Sequence, residues 1–331
     1  MATKTHLPAP PTWKLMVAFG LVYLIWGSTY LAIRIGVETM PPYVMAGIRF
    51  MIAGVLMFVI ARASGAKMPS RLDWRSGLII GGLLLLGGNG GVSYAEQKLP
   101  SGLAALLVAT VPMWMALIEW LRPGGNRPSI QVIIGLVVGF GGMIVLVGPD
   151  KILAGHGIDL PSLGVILVGT ILWATGSIYS RTEHAHLPES PLMATAVEML
   201  AGGVLIVVFA GITGEFSHFN PAQVSASSLL ALGYLIVFGS LVAYTCYTWL
   251  LQVSTPARVS TYAYINPVVA VILGWLILSE PLTRDMAIAT PLILMAVVLI
   301  TTARKPAAVT VVDEAEIGLP VGQEAPVMVE K

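Results

Sequence analysis

The chain has one cysteine, Cys246, among 331 residues, so a disulfide within the chain is excluded. Its five histidines, His6, His156, His184, His186 and His218, all lie outside the apolar runs, and no cluster has metal-ligand spacing. Charge is scarce: 11% of residues are Asp, Glu, Lys or Arg, against about 25% in an ordinary soluble domain. The net charge of +1 gives no electrostatic footprint for nucleic acid. Neither His nor Asp lies inside an apolar run, so a Ser-His-Asp relay would have to be built on loops, and an enzyme is not expected. The glycine-rich "GGNGG" (Gly87–Gly91) lacks the Gly-Lys-Ser/Thr of a phosphate loop and sits inside an apolar run. No cofactor motif is read.

Apolar residues are present in excess, at 56% of the chain. A soluble fold of this length could not hide that much apolar surface in a core. Lipid is the solvent it fits. A membrane helix needs about 20 apolar residues, and ten such runs occur, at roughly 14–37, 41–61, 77–97, 101–121, 130–148, 163–181, 190–212, 227–251, 256–278 and 286–302. They do not alternate with period two, so they are expected to be helices and not barrel strands. The first run is too long for a cleavable leader and is followed by nine more. Residues 1–12 and 303–331 are polar and proline-containing, and are expected to be disordered tails. With both termini cytoplasmic, thirteen of the eighteen Lys and Arg fall on the inner side, four on the outer side, and Arg49 within a span.

An internal repeat runs through these spans. Gln97, Pro112 and Trp120 have the same two spacings as Gln252, Pro267 and Trp275. Trp26 and Arg34 are spaced like Trp173 and Arg181, and "RFMIAGVLMFV" (Arg49–Val59) is echoed by "EMLAGGVLIVV" (Glu198–Val208). The expectation is an all-α polytopic membrane protein of ten transmembrane helices, residues 13–148 forming one five-helix unit and 163–302 a second. Five crossings is an odd number, so the second unit enters from the opposite face. Inverted-topology repeats of this kind mark secondary transporters.

The motifs "IWGSTYLAIRIG", "PPYVMAGIRFMIAG", "LPSGLAALLVATVP" and "YAYINPVVAVILGWLILSEPLT" resemble the EamA-type, ten-helix exporters of the drug/metabolite transporter superfamily. The similarity covers nearly all of residues 15–302. It implies a plasma-membrane (bacterial inner-membrane) carrier of small organic solutes such as amino acids or toxic compounds, usually exported. It also implies that helices 1, 3, 4, 6, 8 and 9 ring a central cavity. On that basis Trp26, Tyr30, Asn89, Trp173, Tyr244, Tyr262 and Asn266 are expected to line it. One departure is Thr290-Pro291 in helix 10, where the first half reads Gly135-Leu136, which puts the straightness of helix 10 in question.

The residues themselves point the same way. Helix 9 opens with the polar-aromatic band Ser260, Thr261, Tyr262, Tyr264 and Asn266, and Pro267 then removes a backbone hydrogen bond. Pro112 is its counterpart in helix 4. Broken helices at repeat interfaces frame substrate sites. The turn Trp26–Thr29–Tyr30 is the expected substrate position, with Arg34 a gate-side or helix-end residue like Pro112 and Pro267. Charges inside membranes are functional candidates. Arg49 and its repeat counterpart Glu198 are therefore read either as a coupling site or as structural buried charges, while Glu96 and Glu119 are read as interfacial. A cavity this poor in charge suits amphipathic or apolar solutes better than nucleotide sugars, unless Arg49 or Arg34 faces inward. The expected partners are the bilayer, a small-molecule substrate and protons as a coupling ion, in a monomer or a homodimer. The alternatives are a facilitated uptake carrier or channel-like permease, and, in another class, a membrane receptor or structural subunit.

Overall fold

A computed structural model describes residues 11–122, 128–147, 159–180, 186–254 and 262–303. Both tails, and Arg181, Ser260 and Thr261, lie outside the described residues, as does the side chain of Tyr264. Everything regular among the described residues is helical.

Ten apolar helices follow one another: α1 (Thr12–Gly36), α2 (Pro42–Ala63), α3 (Arg71–Ala95), α4 (Ser101–Leu121), α5 (Ile130–Val147), α6 (Leu160–Tyr179), α7 (Pro191–Ile212), α8 (Ala226–Val253), α9 (Tyr262–Leu278) and α10 (Arg284–Thr302). Eight contain a stretch long and apolar enough to cross a membrane, and α5 and α9 supply shorter apolar helices. Large apolar side chains such as Ile130, Val137, Leu230 and Leu276 are exposed on the perimeter, where hydrocarbon replaces a protein partner.

The ends of the helices have local causes. Pro42 and Pro191 stand at the first helical positions, where a missing N–H costs nothing. Helix α3 begins earlier than its apolar run, because Ser70 and Asp73 form a reciprocal capping box (Ser70 N–H to Asp73 Oδ2, 2.6 Å; Asp73 N–H to Ser70 Oγ, 3.2 Å). Helix α1 already includes Thr12, which the sequence reading had assigned to the tail.

Two helices are capped from afar. Glu215, on a one-turn helix after α7, accepts the N–H groups of Tyr43 (3.0 Å) and Val44 (2.9 Å) at the start of α2. Glu280, just after α9, accepts Ser101 N–H (2.8 Å), Ser101 Oγ–H (2.8 Å) and Gly102 N–H (3.3 Å) at the start of α4. A carboxylate there satisfies orphan donors and complements the helix dipole. Ser279, which turns the chain toward Glu280, has a φ of 54°.

The packing has the symmetry that two repeats require. Helix α2 packs on α7 and α5 on α10, so each pairs with its own repeat counterpart. Helix α1 packs on α8 and α9, and α6 packs in the same way on α3 and α4. Helices α3 and α7 approach closely: a Cβ on Gly81 would lie 2.6 Å from the backbone nitrogen of Gly202, so only glycine lets these backbones come this near. The two halves thus repeat one packing pattern.

Three spans depart from the α-helix. Helix α4 breaks at Ala109-Thr110 into Ser101–Val108 and Val111–Leu121, with Pro112 at the start of the second piece. Helices α3 and α8 each contain a nine-residue π-helical stretch, Gly82–Gly90 and Leu235–Ala243. These lie in corresponding helices of the two halves. By contrast, α10 carries Pro291 without a break.

Candidate functional site

The irregular stretches surround a cavity. A partly open cavity is lined by side chains from α1, α2, α3, α4, α6, α8 and α9. The π-helical stretches supply Leu85, Gly88, Asn89, Gly239 and Ser240, and the break in α4 supplies Ala109, Val111 and Pro112. π-Helical turns are rare and frequently occur at functional sites.

The cavity carries an aromatic wall. The Trp26 ring stands edge-on to Tyr262 (centroids 5.2 Å apart, 88° between planes) and tilts against Tyr247 (4.9 Å) and Tyr244 (6.2 Å). These four rings come from α1, α8 and α9. Trp26 Nε1–H donates to the carbonyl of Gly239 (3.2 Å), tying α1 to the π stretch of α8. Trp173 of α6 faces the cavity from the other half. Thr29 donates its hydroxyl proton locally, to Trp26 O (2.6 Å). With its amide assigned so that the nitrogen faces these acceptors, Asn266 donates to the carbonyls of Tyr262 (3.1 Å) and Tyr23 (3.2 Å), tying α9 to α1 next to Pro267, which has no N–H to give.

Of the residues singled out from the sequence, Trp26, Thr29, Tyr30, Asn89, Trp173, Tyr244, Tyr262 and Asn266 are brought together around this one space; Pro112 joins them at the break in α4, whereas Pro267 lines the space from inside a continuous α9 and marks no helix end. Arg34 is not among the lining residues. From the end of α1 it caps the end of α3, donating to the carbonyls of Glu96 and Gln97 (2.9 Å to the latter). Glu198 stands behind the wall and accepts the Tyr244 hydroxyl at 2.9 Å.

Three expectations are corrected. Arg49 belongs to the wall, with Phe50, so α2 contributes to a ring expected to exclude it. Arg49 is 6% exposed; its Nε–H donates to Ser240 Oγ (3.0 Å), and its guanidinium carbon lies 4.7 Å from the Phe50 ring centre. The cavity is therefore not free of fixed charge, and the condition attached to the preference for amphipathic or apolar solutes, that Arg49 face away from it, is not met. Glu96 is not interfacial. It is wholly buried (0% exposed), and neither carboxyl oxygen has a hydrogen-bond partner among the described residues. Its burial comes from afar: Arg34 folds over the end of α3, and Glu280 pulls the chain after α9 against the start of α4. Glu119 does pair with Arg122 at a half-exposed position, as an interfacial charge does. Glu215 and Glu280 were not singled out from the sequence, since each acts on a helix far away in the chain.

Comparison with known proteins follows the same lines. The profile of the EamA-like transporter family matches residues 13–148 and 160–302. The chain belongs to the EamA-like transporter family. An uncharacterised inner membrane transporter of Escherichia coli (strain K12), YedA, is 39% identical over 311 residues, covering 91% of this chain and 98% of that one. A probable amino-acid metabolite efflux pump of Salmonella typhimurium is 26% identical over 283 residues, covering 83% and 90%. A solved crystal structure shares the fold with a TM-score of 0.62 at 20% identity, covering 88% of this chain and 98% of the other. The protein is thus a multi-pass helical transporter of the inner membrane, of the drug/metabolite type, and not an enzyme.

Proposed function

We propose that this transporter exports small organic solutes by alternating access, with the central cavity as its substrate site. The observation that carries the reading is the position of the cavity: its walls come from both halves, at the break in α4 and the π-helical stretches where packing is least regular. Rocking one half against the other would then open the space to either side of the membrane in turn. The aromatic wall would hold the apolar body of the solute. Thirteen of eighteen Lys and Arg on one side favour both termini in the cytoplasm, and the 26% identical efflux pump favours export. A proton or solute gradient would supply the energy, with Glu198 as the carboxylate joined to the wall through Tyr244.

Counterflow in proteoliposomes tests this. A carrier accelerates uptake of labelled solute when unlabelled solute is trapped inside, and a channel-like permease or a receptor does not. The solute is found first, by comparing accumulation in cells lacking and overexpressing the protein. Absence of counterflow for a solute so identified would remove alternating access.

A further inference from the structure

A cation with no anion stands in the cavity wall. Arg49 lies seven residues into α2, about 10 Å from its start at 1.5 Å per residue, too deep to reach water at the helix end. A guanidinium has five N–H donors. One is given to the neutral hydroxyl of Ser240. Among the described residues the ion pairs are Lys67–Glu189 and Arg122–Glu119, so no carboxylate lies within 4.0 Å of Arg49. The fold nevertheless makes room for it. A Cβ on Gly239 would lie 3.1 Å from Arg49 Nη2, so the glycine of the π stretch leaves the space the guanidinium fills. A charge at this depth costs several kcal/mol when unpaired. Among the described residues, the charge is kept and no anionic partner is supplied for it.

We propose that the partner is the solute, and that the cavity selects an organic monoanion: a carboxylate paired with Arg49, on an aromatic or apolar body packed against Trp26, Trp173 and Tyr262. This rests on the cavity being the substrate site. The geometry of a guanidinium suits a carboxylate, which it can hold through two parallel hydrogen bonds. A sugar phosphate or nucleotide would want further cations, and Arg49 is the only Lys or Arg among the residues lining the space. A purely cationic amphiphile would meet Arg49 as a like charge, and Glu198, an acid bonded to the wall, is engaged by Tyr244.

The test uses the full chain in lipid nanodiscs and three probes that share one ring and one chain length: 3-phenylpropionate, 3-phenyl-1-propanol and 3-phenyl-1-propylamine. Isothermal titration calorimetry is expected to give the carboxylate at least a tenfold lower dissociation constant than the alcohol, and the amine weaker binding than either. Arg49→Gln should bring carboxylate and alcohol to the same value, and Arg49→Lys should keep part of the preference. Thermal unfolding of each variant separates lost binding from lost folding, and if Arg49→Gln does not fold, the wild-type ranking and Arg49→Lys decide. Equal binding of the three probes, tighter binding of the amine, or no binding of the carboxylate overturns the inference. Counterflow of an independently identified solute that lacks a carboxylate would overturn it too, while leaving the transport reading in place.

Discussion

The phenol of Tyr244 donates to Glu198 Oε2 across 2.9 Å, joining a side chain on the cavity wall to a carboxylate on α7 behind it. Glu198→Gln keeps an oxygen for Tyr244 and should leave the fold and solute exchange intact. Glu198→Leu strips the phenol of its partner and should cost about 1–3 kcal/mol, read by thermal unfolding. If Glu198 carries the coupling proton, Glu198→Gln exchanges solute as before but no longer responds to an imposed pH gradient across the liposome. A response equal to wild type takes Glu198 out of the coupling step.

Gly239 leaves space for Arg49 and lies beside Thr29, 3.1 Å separating a hypothetical Cβ from each side chain. Gly239→Ala should therefore displace the guanidinium, at a cost of about 1–3 kcal/mol of overpacking. Solute affinity should fall with it, while Gly233→Ala, where an added Cβ meets nothing within 4 Å, should change neither. Calorimetry and thermal unfolding on the same samples measure both.

Ser279 adopts a left-handed backbone (φ 54°) at the end of α9. A side chain in that region costs on the order of 1 kcal/mol relative to glycine. Ser279→Gly is expected to raise the melting temperature without altering transport. A lowered melting temperature would mean that the serine side chain holds the turn.

Glu215 is half-buried on the loop after α7, and burial raises its carboxyl above the ordinary range, although the N–H groups of Val44 and Tyr43 pull the other way. Its proton is held more tightly in the folded than in the unfolded chain. The folded state is therefore favoured below the ordinary carboxylate range, and that contribution is lost as pH rises through the raised value. Thermal unfolding between pH 4 and 8 should show this slope in wild type and a flatter one in Glu215→Gln. Equal slopes would assign the pH dependence to other groups.

Much of this architecture can be read from the sequence, because lipid allows few solutions. Ten apolar runs become ten helices, and the paired spacings around Pro112 and Pro267 mark the two helices that meet in the cavity. The aromatic residues of α1, α6, α8 and α9 converge as their positions in the repeat suggest. What could not be read are facts about rotation and distance. Whether Arg49 faces the cavity depends on how α2 turns about its axis, and the apolar residues on every side of α2 leave that angle open. Glu96 has Lys98 two residues away and looks interfacial, yet Arg34 and Glu280, far away in sequence, enclose it. The π stretches leave no common pattern: one is "GLLLLGGNG", the other "LIVFGSLVA".

Those two stretches also give the length of the chain a meaning inside the membrane. Their ladders run from residue i to i+5, so each takes up chain that an α-helical ladder would not need over the same turns. Deleting one residue from either would let the ladder return to α-helical pairing and close the wide turn that now presents Asn89 in α3, or Ser240 in α8, to the cavity. Residue count here sets the lining as well as the span, so relatives that lengthen or shorten α3 or α8 by one residue would present a different wall to the same cavity.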